Sequence, residues 1–388
     1  MIEIPAGTQP RTERVAIVLA ELMALTATTK ERRAGHLIPV PSRYWRSLIG
    51  SRYKDTLREA LDRGYIEVND RYSVGRFSKS YRLAQKYRHP KTVPYLCDNS
   101  RRCSRIRITD HDHVGRALVA QFSSVRLPGN PGGWDGYCAS QIRRGAYYAV
   151  RCQYGRFHSS FTGLKREVRS TLTTVDGEPL VEIDVKNCQP LIVGILAARQ
   201  HSAHRRHPTH PTHTPYIICG ASSDVQTYLD LCERGQLYEH LLQRSGHLTV
   251  WDCVPPDRRH RFAEDRPLNR DDIKRQFLVM LFADAATTRQ IRLFDIVRAE
   301  FPTIAEFVVA SKRDRHQDLA HKCQRMESRL IIDGACGACF RACPETVLVT
   351  VHDAVMTTRE YADMAACQIV AEFQRFGVSP SLSQPIKH

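Results

Sequence analysis

The stretch "VLVTVHDAVMTT", Val347 to Thr358, decides how this chain is read. A strand-like apolar run leads straight into His352-Asp353, and a second short apolar run follows. The pattern predicts a hydrophobic β-hairpin with a carboxylate at its tip. Such a carboxylate either caps its own turn or is held out toward something bound.

A second strand of the same character lies far upstream in "LVEIDVKNCQPLIVGIL", Leu180 to Leu196. Val181 and Ile183 alternate with Glu182 and Asp184, so Asp184 falls on the face opposite the apolar pair. The apolar run after it suits a buried helix. If the two strands are neighbours in one sheet, their aspartates repel each other unless a divalent cation sits between them. Magnesium bridging phosphate oxygens is the usual reason to build such a site.

Between the strands lies "NRDDIKRQFLVMLFAD", Asn269 to Asp284. At a spacing of four, Arg270, Lys274, Leu278 and Phe282 line one face of a predicted helix. Two cations followed by an aromatic suit a triphosphate gripped by Arg270 and Lys274, with a base or sugar against Phe282. Taken alone, the same stripe also describes an amphipathic helix with a solvated basic end.

Length and composition frame these motifs. The chain has 388 residues, enough for two or three domains, and its 42% hydrophobic and 25% charged residues describe a globular protein. Lys and Arg total 57 against 41 acids, a net charge of +16, which favours a polyanionic partner. The 13 cysteines lack a disulfide-like framework and read as reduced thiols. No apolar run approaches a membrane span, and "MIEIPAGTQPRTER" lacks the apolar core of a signal peptide, so no membrane partner and a cytoplasmic location are expected.

Toward the N-terminus, "RTERVAIVLAELMALTATTK" has helical apolar spacing. "PVPSRYWRSLIG" offers Ser42 as an N-cap and Gly50 as a stop. "RYKDTLREALDRG" sets Tyr53, Leu57 and Leu61 four apart before Gly64. Two strand-like runs around a basic loop follow in "YIEVNDRYSVGRFSKSYRLA". Three helices and a hairpin resemble a winged helix-turn-helix, which implies nucleic-acid binding. A small helical domain for protein contacts is the plainer reading. Residues 85–150 carry no comparable pattern. In "HSAHRRHPTHPTHTP", His201, His204, His207, His210 and His213 recur every third residue, a metal-binding strip or, more simply, a surface loop. Cys336, Cys339 and Cys343 in "CGACFRAC" echo part of an iron–sulfur pattern, but the segment reads better as a closely packed helix.

The order of the three central motifs resembles motifs A, B and C of the family A DNA polymerases and the phage-type single-subunit RNA polymerases. In that superfamily motif A is a strand with a metal-binding Asp. Motif B is a helix of the form Arg-x-x-x-Lys-x-x-x-(apolar)-x-x-x-Tyr-Gly, and motif C is a hairpin bearing His-Asp. "YGRFHSSFTGL" is similar to the Thr-Gly-Arg-x-Ser-Ser element that precedes motif A. "EFPTI" and "LAHKCQRMES" resemble the Phe-Pro turn and the Gln-bearing helix between B and C. The resemblance implies that Asp184 and Asp353, with the Val185 carbonyl, hold two Mg²⁺ ions, with Mn²⁺ as a substitute. It implies that Arg270 and Lys274 hold the triphosphate, with Lys274 also protonating pyrophosphate. By the same resemblance Phe282 and Gln189 lie at the nucleotide, and Arg156, Gln324 and His352 contact the primer and template.

The match has departures. Phe282 and Ala283 stand for the family's Tyr-Gly, Gln189 for a Glu that crowds a ribose 2′-hydroxyl, and Ala354 for a Glu or Ser. They leave dNTPs and NTPs both open as substrates. The expectation is therefore an α+β chain: a winged-helix-like domain at 1–90, a connector or reduced thumb at 91–150, palm at 151–200 and 316–388, and fingers at 201–315. Its expected activity is template-dependent DNA synthesis from a primer without proofreading, in replication of a mobile element or phage. A primer-independent RNA polymerase or primase, and a non-catalytic DNA-binding replication factor, are the alternatives.

Overall fold

The computed structural model describes residues 2–27, 33–73, 77–97, 105–129, 131–205, 221–246, 248–253 and 264–383. They form a mixed α+β structure with small, mostly antiparallel sheets. The chain divides into two compact units. One comprises Met1–Arg151 with His158–Leu180, the other Cys152–Phe157 with Val181–His388. Residues 91–150, expected as a connector or thumb, thus belong to the first unit.

In the first unit, β1 (Ile2–Pro5) pairs with the segment Thr92–Tyr95. Then come α1 (Glu13–Ala27), β2 (Ile38–Pro39), α2 (Ser42–Ile49), α3 (Tyr53–Asp62), β3 (Ile66–Asn69) and β4 (Ser80–Leu83). The last three strands form an antiparallel sheet ordered β2-β4-β3. Val15, Val18, Leu19, Leu22 and Met23 bury α1 almost all round. Trp45 is fully buried, edge-on to Tyr81 at 5.6 Å.

Two local expectations are corrected. Ser42 does not cap α2: Pro41 is the N-cap, extended at φ −62 and ψ 145, and its carbonyl accepts from Tyr44. Leu61 is 43% exposed. A spacing of four drifts by about 40° per step on a 3.6-residue helix, so the buried stripe of α3 runs through Tyr53, Thr56, Leu57 and Ala60 instead. Gly64, at φ +62, closes α3 as the glycine pattern predicts, with the Tyr65 amide donating to the Ala60 carbonyl.

The second unit is built on a three-stranded antiparallel sheet ordered β5-β7-β6, from β5 (Val181–Asp184), β6 (Val349–Val351) and β7 (Ala354–Thr357). Every residue of β6 and β7 is buried. The helix α4 (Cys188–Arg205) leaves β5 with Leu191, Ile192, Val193 and Ile195 fully buried, so the "PLIVGIL" run is the core helix its composition requires. It packs on α5 (Ser223–Glu233) at Gly194, where a Cβ would lie 2.5 Å from Leu229 and 3.1 Å from the Tyr228 ring. Both neighbours are buried and cannot retreat. Gly194→Val should therefore cost about 1–3 kcal/mol by overpacking, read as a fall in the denaturation midpoint; an unchanged midpoint would refute this helix contact.

Next come α6 (Leu237–Ser245), α7 (Arg270–Phe282), α8 (Pro302–Ala310) and α9 (Gln317–Ser328). Asn269 and Asp272 form a reciprocal capping box at the start of α7. At its end, the buried Lys312 ammonium donates to the Met280 carbonyl at 2.5 Å and to Thr288 Oγ1 at 2.7 Å. Burial brings the Lys312 pKa down to about 8.

Past α9 the helix continues as a π-helical segment, Arg329–Cys336, and then as Gly337–Ala342. The final helix, α10 (Arg359–Gln374), packs against the π segment. Cys336 and Cys339 are buried in this packing and lie outside any disulfide. Ten described cysteines are free, while Cys97 is disulfide-bonded. His207, His210 and His213 lie outside the described residues, as do the side chains of His201 and His204. No described helix is long and apolar enough to cross a membrane.

Candidate active site

The hairpin of β6 and β7 closes through His352 and Asp353, since Val351 pairs directly with Ala354. His352 takes φ 58 and Asp353 does not have a positive φ, the pattern of a II′ turn, whose first position favours glycine. An exposed histidine there holds a strained conformation costing about 1 kcal/mol or more.

Across the sheet, Asp184 pairs with Ala354. Asp353 directly precedes that residue, so the two aspartates come together at one end of neighbouring strands. Both charges reach the buried Cys188 thiol. Its pKa is pushed well up, first by burial and then by Asp353, Glu327 and Asp184. Val185 forms a bridge with Leu382 in which the hydrogen bonds run through the flanking residues, from the Ser383 amide to the Asp184 carbonyl and from the Lys186 amide to the Ser381 carbonyl. The carbonyl of Val185 is therefore turned away from the C-terminal segment, toward the hairpin side.

Asp353 sits under electrostatic stress. Its carboxyl is pushed up to about 6, chiefly by burial and next by the Glu327 charge, with Arg156 and Lys274 pulling it back. Lys274, on α7, is thus close enough to act on the hairpin carboxylate. A carboxyl raised in the folded state weakens the fold as pH climbs from about 4 through about 6, because the unfolded chain ionises first. Without divalent cations, Asp353→Asn should then be more stable than wild type by about 2 kcal/mol at pH 7.5 and by little at pH 4. Urea denaturation in EDTA at the two pH values checks this; a destabilised variant at pH 7.5 would refute it.

Behind the aspartates lies a buried carboxylate that the sequence reading passed over. Glu327, 2% exposed, accepts two bonds from Arg156, at 2.9 Å from Nε and 3.0 Å from the terminal nitrogen, and a third from the Gln189 amide. Arg156 and Gln189, expected at the primer and the nucleotide, are joined through Glu327. The signal was in the sequence: Glu327 stands four after Cys323 and beside Met326, on the buried stripe of α9. Gln324, one turn earlier, is half-buried.

On α7, Arg270 and Lys274 are exposed, and Leu278 and Phe282 are half-buried, so the expected stripe runs from a solvated cationic end to a packed aromatic one. Tyr238, on α6, was also missed. Its ring lies 5.4 Å from the Arg270 guanidinium and edge-on to Phe277 at 5.9 Å. Burial, then the neighbouring Cys232, pushes its phenol upward, and the Asp353 charge adds to the rise.

The donors suit a hard cation. Mg²⁺ takes one or two carboxylates and fills its remaining positions with water and phosphate oxygens. Asp184, Asp353 and the Val185 carbonyl are oxygen donors of this kind. Among the described residues no set of three or more His, Cys, Asp or Glu is arranged to hold a metal, so water or a bound phosphate must complete the shell. No protein-family model matches the chain, and no curated protein matches it.

Proposed function

We propose that the chain is a Mg²⁺-dependent, template-directed nucleotidyltransferase of the family A polymerase type. On this reading the β5-β7-β6 sheet is the palm and α7 belongs to the fingers. The register that sets Asp184 opposite Ala354, and hence beside Asp353, carries the reading. Two like charges at the ends of adjacent strands repel each other. They become useful when cations and phosphates lie between them.

In the reaction, the primer 3′-hydroxyl gives up its proton to water, its oxygen attacks the α-phosphorus of a nucleoside triphosphate, the bond to the β-phosphate breaks, and pyrophosphate leaves. Asp184, Asp353 and the Val185 carbonyl would hold magnesium, which would neutralise charge at the phosphates and lower the pKa of the primer hydroxyl. Arg270 grips the outer phosphates, and Lys274 neutralises the leaving group and donates a proton to it. Phe282 packs against the base or sugar, while the exposed His352 and the half-buried Gln324 face the primer and template. Glu327 holds both Gln189 and Arg156, fixing their orientation at this site.

The first unit supports the accompanying reading of nucleic-acid binding. Its three helices and β2-β4-β3 sheet suit a winged helix, and Arg43, Arg46, Arg52, Lys54 and Arg58 are exposed on α2, α3 and the turn between them. A primer-extension matrix tests the whole proposal, crossing DNA and RNA templates with dNTPs and NTPs, with and without primer. We expect primer-dependent extension on DNA with Mg²⁺. Products from NTPs without primer would favour the primase reading. No incorporation in any arm, beside an active control polymerase, would overturn the proposal.

A further inference from the structure

Arg270 is held from two sides by residues to which the sequence motif gives no role. Its Nε lies 2.5 Å from Glu239 Oε1, and its guanidinium sits 5.4 Å from the centre of the Tyr238 ring. The Tyr238 ring is buried and braced by Phe277, whereas Arg270 and Glu239 are about half exposed. A salt bridge between two such exposed side chains adds little to stability. What it does fix is orientation, because a long cation loses its rotational freedom in the free protein rather than on binding.

A guanidinium has five N–H donors in a rigid fork. Glu239 occupies Nε, and no other hydrogen bond of Arg270 is found among the described residues. The terminal nitrogens are left for a bidentate partner, the geometry that phosphate oxygens accept. We infer that Tyr238 and Glu239 form a clamp that presets Arg270 to receive the outer phosphates of a nucleoside triphosphate. Both are positioning residues, acting through Arg270. The inference rests on the proposed nucleotidyltransferase reading and names how that site selects a triphosphate.

The test is single-nucleotide incorporation by the full chain for wild type, Arg270→Ala, Glu239→Ala, Glu239→Asp, Tyr238→Phe and Tyr238→Leu. Loss of one charge-assisted orienting bond should raise KM for the nucleotide roughly tenfold in Glu239→Ala, with kcat within about twofold. Glu239→Asp should recover part of the loss. Tyr238→Phe keeps the ring and should behave as wild type, whereas Tyr238→Leu should resemble Glu239→Ala. Glu239→Ala should add nothing to Arg270→Ala, since the clamp has no other target.

Glu239→Ala with unchanged KM would overturn the clamp. So would a lowered KM, because Glu239 would then be a competitor that the phosphates must displace. If wild type incorporates nothing, the polymerase reading fails separately, and anisotropy with a fluorescent ATP analogue still decides the inference. Weaker binding to Glu239→Ala than to wild type upholds the clamp, and equal binding or none by wild type ends it.

Discussion

Asp353→Asn and Asp184→Asn should each lower Mg²⁺-dependent primer extension by about 10³-fold or more while the protein stays folded. Each change is nearly isosteric and removes one of the two carboxylate ligands. Neither side chain carries the sheet: Asp184 and Ala354 hold their register through backbone bonds. The two variants should differ in stability. Asp353 is raised to about 6 by burial and by Glu327, so neutralising it relieves the cation-free fold. A variant that is both more stable and inactive is hard to explain by misfolding. Circular dichroism and urea denaturation alongside the extension assay separate the two effects. Extension at wild-type rates by either variant would remove that aspartate from the chemistry.

Arg156→Ala should have the opposite character, a large loss of stability. Its guanidinium makes two bonds to Glu327, whose side chain is 2% exposed. Removing the cation leaves a carboxylate buried and uncompensated beside Asp353, at a cost of about 3–5 kcal/mol. Burial already favours protonation of Glu327, and loss of Arg156 should drive it further that way. Adding Glu327→Gln should restore part of the loss by removing the charge. If Arg156 instead worked chiefly on nucleic acid, Arg156→Ala would weaken DNA binding and leave the unfolding free energy within about 1 kcal/mol. Denaturant unfolding of the two variants, with DNA-binding anisotropy at fixed salt, distinguishes these outcomes.

The parts of this arrangement legible in the sequence are those that depend on local periodicity. Alternation around Asp184 and around His352-Asp353 gave two strands whose polar ends could meet, and the spacing of Arg270 and Lys274 gave one helix face. The pair Arg156–Glu327 spans 171 residues and leaves no local trace beyond an acid on a buried helical stripe. Tyr238 and Glu239 escaped notice for a similar reason: their partner lies on another helix, and nothing in "GQLYEHL" marks it. Leu61 stands four after Leu57 and eight after Tyr53, but the drift over two such steps carries it off the buried stripe. The positive φ of His352 has no sequence signal either, since glycine is the residue that ordinarily marks it.

Uptake of Mn²⁺, followed by electron paramagnetic resonance in the presence of a non-hydrolysable nucleoside triphosphate, tests most directly whether Asp184 and Asp353 share a cation site. Wild type and Glu239→Asp should bind the ion, and Asp184→Asn and Asp353→Asn should each lose it. No uptake by wild type, or equal uptake by both asparagine variants, would contradict the shared site and the nucleotidyl transfer built on it.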